Sequence, residues 1–341
     1  MSEPRRILVR LPNWTGDVVM ATPALRALRG RYPRAEIVGQ VRPGLEPLLA
    51  GLPSLDRVET AHSWHRGARA LWREARSLRE PGFDLGVCLP DSFSSALLMR
   101  LASVREVVGF GRGGRGVLLH RAVAPRAEWG PRRLVARERS LLYLLQQAGC
   151  EPRGTHLQLA TTPREEAAAR ALCPPGARDQ PLVAIAPGAS YGASKRWPVE
   201  SFAAVADALA GAGARVILLG TPSEADLGRA VCASAESRPL DLCGRSDLGV
   251  LKALLRRASL LVSNDAGARH IATAFGTPSV VLFGPTAVEK TDCNLETVDV
   301  LEAAASCRPC YRRECPIDHR CMRGIAPEVV VARASARLSP R

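Results

Sequence analysis

Short apolar runs alternate with longer amphipathic stretches along the first half of the chain, and turns rich in glycine or proline separate them. The runs at 6–11, 37–41, 83–89 and 105–109 have the length and composition of buried strands. The stretch 15–30 keeps its apolar residues on one face and predicts a helix. Strands that alternate with helices at this spacing form parallel βαβ units.

The second half of the chain repeats this alternation. The runs at 182–186, 214–219, 260–263 and 279–283 predict strands, with helical stretches between them. Residues 110–133, in contrast, are rich in glycine, arginine and proline and show no periodicity, so they predict a loop.

The length of the chain predicts two domains, because 341 residues exceed what a single core ordinarily supports. The predicted fold class is α/β, with two Rossmann-like, doubly wound domains that face each other across a ligand-binding cleft. The predicted boundaries are an acceptor-binding domain at 1–165, a linker at 166–180, a donor-binding domain at 181–325, and a C-terminal helix and tail at 326–341.

A formal net charge of +14 is typical of nucleic-acid-binding proteins. However, only three of the 47 basic residues are lysine, and the arginines are scattered without interleaved aromatic residues. Anionic lipid or an acidic acceptor explains a basic surface equally well, so no nucleic-acid partner is expected. Since the sequence also lacks an apolar run of the ~20 residues that span a membrane, and a signal-peptide pattern, a cytoplasmic protein is expected.

The segment 11–17, Leu-Pro-Asn-Trp-Thr-Gly-Asp, lies where the first predicted strand passes into the first predicted helix. Gly16 permits a tight turn, and Asp17 falls in the first turn of the helix. A carboxylate at this position can act as the general base for a sugar hydroxyl. The alternative is that Asp17 only complements the helix dipole.

The segment 186–198 has the composition of a phosphate-binding loop. Small residues follow a predicted strand, Ser190 supplies a hydroxyl, and Lys195 precedes the next predicted helix. Backbone N–H groups, hydroxyls and a lysine at a helix start can bind phosphate. The alternative is an ordinary solvated connection.

The segment 262–270, Val-Ser-Asn-Asp-Ala-Gly-Ala-Arg-His, is a second strand-to-helix junction of this kind. Asp265 can order the loop, and Gly267 permits the close approach of a diphosphate. His270 is either a donor to phosphate or a histidine satisfied within the helix. Two anion-binding helix starts in one domain suggest a diphosphate that they share.

Four of the ten cysteines crowd together near the C-terminus, at Cys307, Cys310, Cys315 and Cys321. A C-x2-C pair is the usual first half of a structural zinc site, and Cys321 or His319 can supply the last ligand. The alternatives are disulfides or free thiols, and no catalytic role is assigned to the cluster.

Four motifs in order, P-N-W-T-G-D, P-G-A-S-Y-G-A-S-K-R-W-P, N-D-A-G-A-R-H and F-G-P-T, resemble glycosyltransferase family 9. The match runs from about residue 7 to residue 327, and the cysteine cluster resembles the heptosyltransferase II branch. This resemblance implies a GT-B fold, an inverting transfer that needs no metal or other cofactor, an ADP-heptose donor, and an acceptor in the inner core of lipopolysaccharide.

The resemblance also assigns roles to residues. Asp17 matches the catalytic aspartate of the family. The donor-binding residues are expected to be Ser190, Lys195, Glu224, Asp265, Ala266, Gly267 and His270, with Lys195 on the diphosphate and Glu224 on the ribose. The acceptor-binding residues are expected to be Asn13, Thr15, Gly16, Arg112 and Arg115, although the last two can instead belong to a solvated loop. Ala266 departs from the Ser or Thr of many members, which removes a hydroxyl from the donor loop.

The expected partners are therefore an ADP-sugar and a lipid-linked acidic saccharide, with peripheral contact at the cytoplasmic face of the inner membrane. Three other interpretations remain open. They are a family member with another nucleotide sugar or acceptor, a nucleotide-sugar epimerase on a similar two-domain fold, and a basic nucleic-acid-binding protein.

Overall fold

The computed structural model describes residues 3–61, 67–130, 134–177 and 180–338. The chain divides into two compact units, and each is described by itself. The first unit is Met1–Ala160 with Glu289–Cys293, and the second is Thr161–Val288 with Asn294–Arg341. The predicted loop, linker and tail each include residues outside those that the structure describes, at 131–133, 178–179 and 339–341 respectively.

The first unit contains a sheet of six strands, and every pair of neighbours is parallel. In chain order the strands are Arg6–Arg10 (β1), Glu36–Val41 (β2), Arg57–Thr60 (β3), Leu85–Cys88 (β4), Glu106–Phe110 (β5) and Arg121–Val123 (β6). Their order across the sheet is β3-β2-β1-β4-β5-β6. The chain therefore winds outward from β1 in one direction and returns beside it at β4.

The second unit repeats this topology with six further parallel strands. They are Leu182–Ala186 (β7), Arg215–Leu218 (β8), Leu240–Asp241 (β9), Leu260–Asn264 (β10), Ser279–Phe283 (β11) and Val298–Glu302 (β12). The order is β12-β11-β10-β7-β8-β9, so the strand order reverses between β7 and β10. Both sheets are doubly wound, as predicted.

The helices alternate with the strands in both units. In the first unit they are Thr15–Met20 (α1), Thr22–Arg31 (α2), Glu46–Leu49 (α3), Gly67–Arg79 (α4), Phe93–Leu101 (α5) and Arg137–Gln147 (α6). In the second unit they are Pro163–Leu172 (α7), Val199–Gly211 (α8), Ala225–Ser234 (α9), Leu248–Arg257 (α10), Gly267–Ala274 (α11), Arg320–Arg323 (α12) and Pro327–Leu338 (α13). Within the described ranges, no helix is long and apolar enough to span a bilayer.

The helix predicted over 15–30 is divided in two at Ala21. Pro23 is the second residue of α2, and proline has no N–H to donate to the carbonyl of residue 19. The hydroxyl of Thr22 donates to the Val19 carbonyl oxygen instead, at 2.8 Å. The interruption therefore shortens α1 to the six residues that carry Asp17.

The predicted linker at 166–180 is wrong for its first seven residues, because α7 occupies Pro163–Leu172. Thr162 and Glu165 form a capping box at its start, with each side chain bonded to the other's backbone N–H. Glu165 also pairs with the fully buried Lys252 of α10, with 3.2 Å between Oε1 and Nζ. This buried pair anchors α7 within the second unit.

The predicted C-terminal helix is confirmed as α13 and belongs to the core of the second unit. Val330 and Ala334 are fully buried in the cluster that also contains Trp197 and Phe202. The rings of Trp197 and Phe202 meet edge to face, with centroids 5.0 Å apart. The Trp197 indole N–H donates to the Ile325 carbonyl oxygen, at 3.1 Å, so the core also holds the chain that leads into α13.

Candidate active site

Ligands of a doubly wound sheet bind at the carboxyl ends of the two strands where the strand order reverses. In the second unit these strands are β7 and β10, which pair directly. The loop after β7 contains Lys195, and β10 leads through Asp265 into α11. The structure therefore brings the two predicted phosphate-binding loops together at this edge of the sheet.

Asn264, the last residue of β10, joins the two loops. Its side chain is fully buried, donates to the Pro187 carbonyl oxygen at 2.7 Å, and accepts from the Trp197 N–H at 3.1 Å. An amide that binds both ends of one loop fixes the path of the chain between them. The loop that carries Ser190 and Lys195 is held in this way.

Lys195 and Asp265 form an ion pair although they are 70 residues apart in sequence. The Lys195 Nζ lies 2.5 Å from Asp265 Oδ2 and 3.0 Å from the Asp265 carbonyl oxygen. Arg269 Nε lies 3.2 Å from Oδ1, and the Thr286 hydroxyl donates to Oδ2 at 2.8 Å. The side chains of Lys195 and Asp265 are only 11% and 9% exposed, so water screens these charges weakly.

Asp265 and the neighbouring His270 have shifted pKa values. Burial by itself would raise the pKa of Asp265, but the charges of Lys195 and Arg269 outweigh it and hold that pKa below its ordinary range. Burial, and after it the charge of Arg269, lowers the pKa of His270 well below 6.5. At neutral pH the cluster therefore has two cations, one anion and an uncharged imidazole. His270 can form a hydrogen bond to phosphate but contributes no positive charge.

Glu224 lies at the same edge of the sheet, after β8. Its Oε2 accepts from the backbone N–H and the hydroxyl of Thr221, each at 2.8 Å. A Cβ atom at Gly188 would lie 2.0 Å from the Glu224 Oε1, so a side chain at position 188 would displace this carboxylate. The carboxylate predicted to bind ribose is thus held against the predicted phosphate-binding loop.

The remaining donor residues of the prediction lie at the accessible end of the loops. Ser190 is exposed, whereas Ala266 and Gly267 are half-buried at the start of α11. Ala266 is the N-cap and has no side-chain oxygen to cap the helix. The first N–H groups of α11 therefore have no side-chain cap and can bind an anion. The alanine at position 266 predicts this.

The first unit presents its own predicted site after β1. Asp17 is half-buried in the first turn of α1, and Thr15 and Gly16 are half-buried beside it. The side-chain oxygen of Asn13 is buried, and within the described part of the chain it has no hydrogen-bond donor. A buried oxygen of this kind ordinarily has a partner, so Asn13 is suited to accept a hydrogen bond from a ligand hydroxyl.

The prediction that Arg115 binds the acceptor is wrong, because its side chain is fully buried. Its Nε donates to the Phe110 carbonyl oxygen at 2.6 Å, and its Nη1 donates to the carbonyl oxygens of Pro90 and Ser92. Arg115 therefore fixes the loop after β4 to the end of β5. Arg112 is exposed, so its predicted acceptor contact stays a prediction.

A match to a known protein family agrees with this arrangement of residues. The family model for Glycosyltransferase family 9 (heptosyltransferase) matches residues 71–320. The chain belongs to glycosyltransferase family 9. It is therefore an enzyme that transfers sugar, as the four motifs predict.

Individual members of family 9 support the same assignment. Lipopolysaccharide heptosyltransferase 2 of Salmonella typhimurium is 30% identical over 300 residues, which cover 84% of each chain. The solved structure of the Escherichia coli ADP-heptose lps heptosyltransferase II has a TM-score of 0.83 at 26% identity and covers 98% of both chains. A family 9 structure from Veillonella parvula has a TM-score of 0.84 at 22% identity, covering 98% of this chain and 97% of that one. These likenesses confirm the predicted GT-B fold.

The predicted zinc ligands of this family 9 chain are not arranged as a metal site. No group of three or more His, Cys, Asp or Glu side chains in the described ranges could hold a metal ion. Cys321 packs in the core of the second unit, whereas Cys307 and Cys310 are exposed. The described residues therefore do not fit the zinc prediction.

Sequence reasoning missed three residues of the donor cluster. Arg269 and Thr286 contact the Asp265 carboxylate, and Asn264 joins the two loops. Asn264 and Arg269 lie within the predicted loop, and Thr286 ends the F-G-P-T motif, so the family motifs were the available signal. Their contacts depend on which strands are neighbours, which the motifs do not state.

Proposed function

We propose that this glycosyltransferase moves heptose from ADP-L-glycero-D-manno-heptose to heptosylated Kdo2-lipid A, in the inner core of lipopolysaccharide. The names of two relatives support an ADP-heptose donor and a lipopolysaccharide acceptor, one as lipopolysaccharide heptosyltransferase 2 and one as ADP-heptose lps heptosyltransferase II. The observation that carries the proposal is the buried cluster of Lys195, Asp265 and Arg269 where the strand order of the second unit reverses. Its net positive charge suits a diphosphate.

On the donor side, Lys195 and the first N–H groups of α11, at Gly267, bind the diphosphate. Ser190 and the uncharged His270 add hydrogen bonds, and Glu224 binds the ribose hydroxyls with the oxygen that faces Gly188. As the bond from the sugar to the diphosphate breaks, these groups stabilise the negative charge that develops on the leaving group. Because the sequence has no D-x-D pair for Mg²⁺, the protein's own charges take this role, and the transfer is independent of metal.

On the acceptor side, Asp17 accepts the proton of the attacking hydroxyl as general base. Asn13, Thr15 and Gly16 position the acceptor beside it, and Arg112 binds an acidic group of the saccharide. The hydroxyl oxygen attacks the anomeric carbon from the face opposite the departing ADP, so the configuration inverts. Arg115 acts only by fixing the loop after β4.

The test is release of ADP from ADP-heptose with and without heptosylated Kdo2-lipid A, corrected for hydrolysis, for the native protein and Asp17→Asn. We expect release that depends on acceptor and that falls by about two or more orders of magnitude in the variant, because the general base is lost. Calorimetry with ADP is the control, since Asp17→Asn should leave donor affinity unchanged.

The other outcomes separate the parts of the proposal. Tight binding of ADP-heptose without acceptor-dependent release would refute this acceptor and retain the donor. Native activity in Asp17→Asn would refute the general base. Failure of the native protein to bind ADP-heptose would refute the proposed reaction.

Contact with an anionic membrane is the second part of the proposal, because the acceptor is a lipid. Helix α4 buries Ala70, Ala75 and Leu78 and exposes Trp72, which is 53% accessible. Four exposed arginines lie on the same helix, at positions Arg69, Arg73, Arg76 and Arg79. An aromatic side chain among cations is typical of helices that lie on anionic lipid, where each cation contributes about 1 kcal/mol.

Sedimentation with vesicles tests this contact. At low salt we expect the protein to bind vesicles that contain phosphatidylglycerol and not vesicles of phosphatidylcholine alone. Arg73→Glu should weaken binding several-fold more than Arg34→Glu, which makes the same change of charge at another exposed site of the first unit. Equal losses would assign the binding to net charge rather than to α4.

A further inference from the structure

The cysteine-rich segment, residues 307–321, lies directly on the loop that carries Lys195. Three consecutive backbone carbonyls of the segment, at 311–313, accept hydrogen bonds from this loop. The Tyr191 hydroxyl donates to the first carbonyl at 2.5 Å, the Ser194 hydroxyl to the second, and the Ser194 N–H to the third at 3.0 Å. The segment is therefore bound to the loop along its backbone and not through a single side chain.

The segment also contacts the loop that contains the F-G-P-T motif. The Tyr311 N–H donates to the Pro285 carbonyl oxygen at 2.9 Å. A glycine in each of the two loops allows the segment to approach closely. A Cβ atom at Gly192 would lie 2.3 Å from the Arg313 carbonyl oxygen, and one at Gly284 would lie 3.3 Å from the Cys321 sulfur. The cysteine-rich segment is thus packed closely between two loops of the donor unit.

This packing places a further cation at the Tyr191 ring, which Lys195 also contacts. The Arg313 Cζ lies 5.9 Å from the centre of the Tyr191 ring, and the Lys195 Nζ lies 5.2 Å from the same centre. Lys195 is already paired with Asp265. Arg313 is exposed, and its guanidinium contacts no carboxylate among the residues that the structure describes.

We propose that Arg313 is a second diphosphate-binding cation of the donor site, which the cysteine-rich segment holds in place. The proposal rests on the proposed donor, and it adds a residue from outside the family motifs. An anion that approaches Lys195 must compete with the Asp265 carboxylate, whereas Arg313 has no such competitor. Its forked N–H groups match the oxygens of a phosphate, and the Tyr191 ring supports the guanidinium from one side.

Calorimetry with ADP, AMP and adenosine tests this role. Arg313→Ala should raise the Kd for ADP about tenfold, because one charge-assisted contact is lost, and should leave the weak binding of adenosine unchanged. AMP, with one phosphate fewer, should show a smaller loss. Arg313→Lys keeps the charge without the fork and should restore part of the affinity.

Arg312→Ala is the matched control, because Arg312 is the neighbouring exposed arginine and only its backbone carbonyl contacts the loop. Its Kd for ADP should stay within about twofold of the native value, since its side chain has no partner in the cluster. The slope of log Kd against log salt should fall for Arg313→Ala and not for Arg312→Ala. Melting temperatures of all variants should match the native protein, which shows that the fold is intact.

The outcomes distinguish this inference from the proposed function. Native ADP affinity in Arg313→Ala, with a native protein that binds ADP, would overturn the role of Arg313 alone. Equal losses in Arg312→Ala and Arg313→Ala would show a general effect of charge and would also overturn it. A native protein without affinity for ADP would overturn the proposed donor and this inference with it.

Discussion

The two units share one topology, yet their buried charged side chains have different partners where the strand order reverses. In the second unit, the charged side chains bind one another, as Lys195 and Arg269 both contact Asp265. In the first unit, the buried Arg115 donates mainly to backbone carbonyls and has one longer ion pair, 3.5 Å from Asp91 Oδ1, while the buried oxygen of Asn13 has no donor among the described residues. The edge of the second unit keeps a net positive charge, whereas the edge of the first unit holds a buried oxygen that a ligand hydroxyl can satisfy.

This difference fits the two kinds of substrate in the proposed reaction. A diphosphate is the same in every donor molecule, and charges fixed in advance stabilise it without reorganisation. An acceptor saccharide presents hydroxyl groups, for which half-buried polar side chains such as Asn13 and Thr15 are suitable partners. The predictions below change one side of this comparison at a time.

The largest effect is expected from Asp265→Asn. This change leaves the buried Arg269 and the nearly buried Lys195 without their shared carboxylate, and it should lower the free energy of unfolding by about 3–5 kcal/mol. Urea denaturation measures this loss. Asp226→Asn is the matched control, since the Asp226 side chain is 90% exposed and its change should cost less than about 0.5 kcal/mol. A small effect at Asp265 would mean that the cluster does not depend on this carboxylate.

Much of the fold could be predicted because buried strands have a strong pattern. The strands β7 and β11 have the predicted bounds, and both are interior strands made almost entirely of apolar residues. The edge strands β6 and β12 were missed, since they are partly exposed and their sequences are mixed. Helix α7 was missed because Leu172 is its only large apolar residue, although Thr162 and Glu165 were a capping-box signal.

The site was predictable as a list of residues and not as a set of contacts. Lys195 and Asp265 were both assigned to phosphate, but the pattern of either loop does not show that the two side chains pair. That pairing depends on β7 and β10 being neighbours. The same limit applies to Arg115, because a glycine-rich loop gives no sign that one of its arginines turns inward and binds carbonyl oxygens.

A smaller effect is expected from Arg115→Met, which tests the first unit. Methionine fills much of the same volume but removes the guanidinium donors to the carbonyls of Phe110, Pro90 and Ser92, so the free energy of unfolding should fall by about 2–3 kcal/mol. Arg112→Ala provides the comparison within the same loop. It should change stability by less than about 0.5 kcal/mol and should raise the KM for acceptor without changing donor affinity. Native stability in Arg115→Met would refute its structural role.

The smallest effect is expected from protonation of His270. Its pKa in the folded protein lies well below 6.5, so below pH 6.5 the unfolded chain binds a proton that the folded protein does not. Stability conferred by the neutral imidazole is therefore present above pH 6.5 and is lost as the pH falls, by about 1.4 kcal/mol at pH 5.5. Urea denaturation at pH 7.5 and pH 5.5 should show this loss in the native protein and not in His270→Gln, while other groups contribute equally to both. If both proteins lose the same stability, His270 is charged in the folded state, and the donor cluster contains a third cation instead of a neutral hydrogen-bonding group.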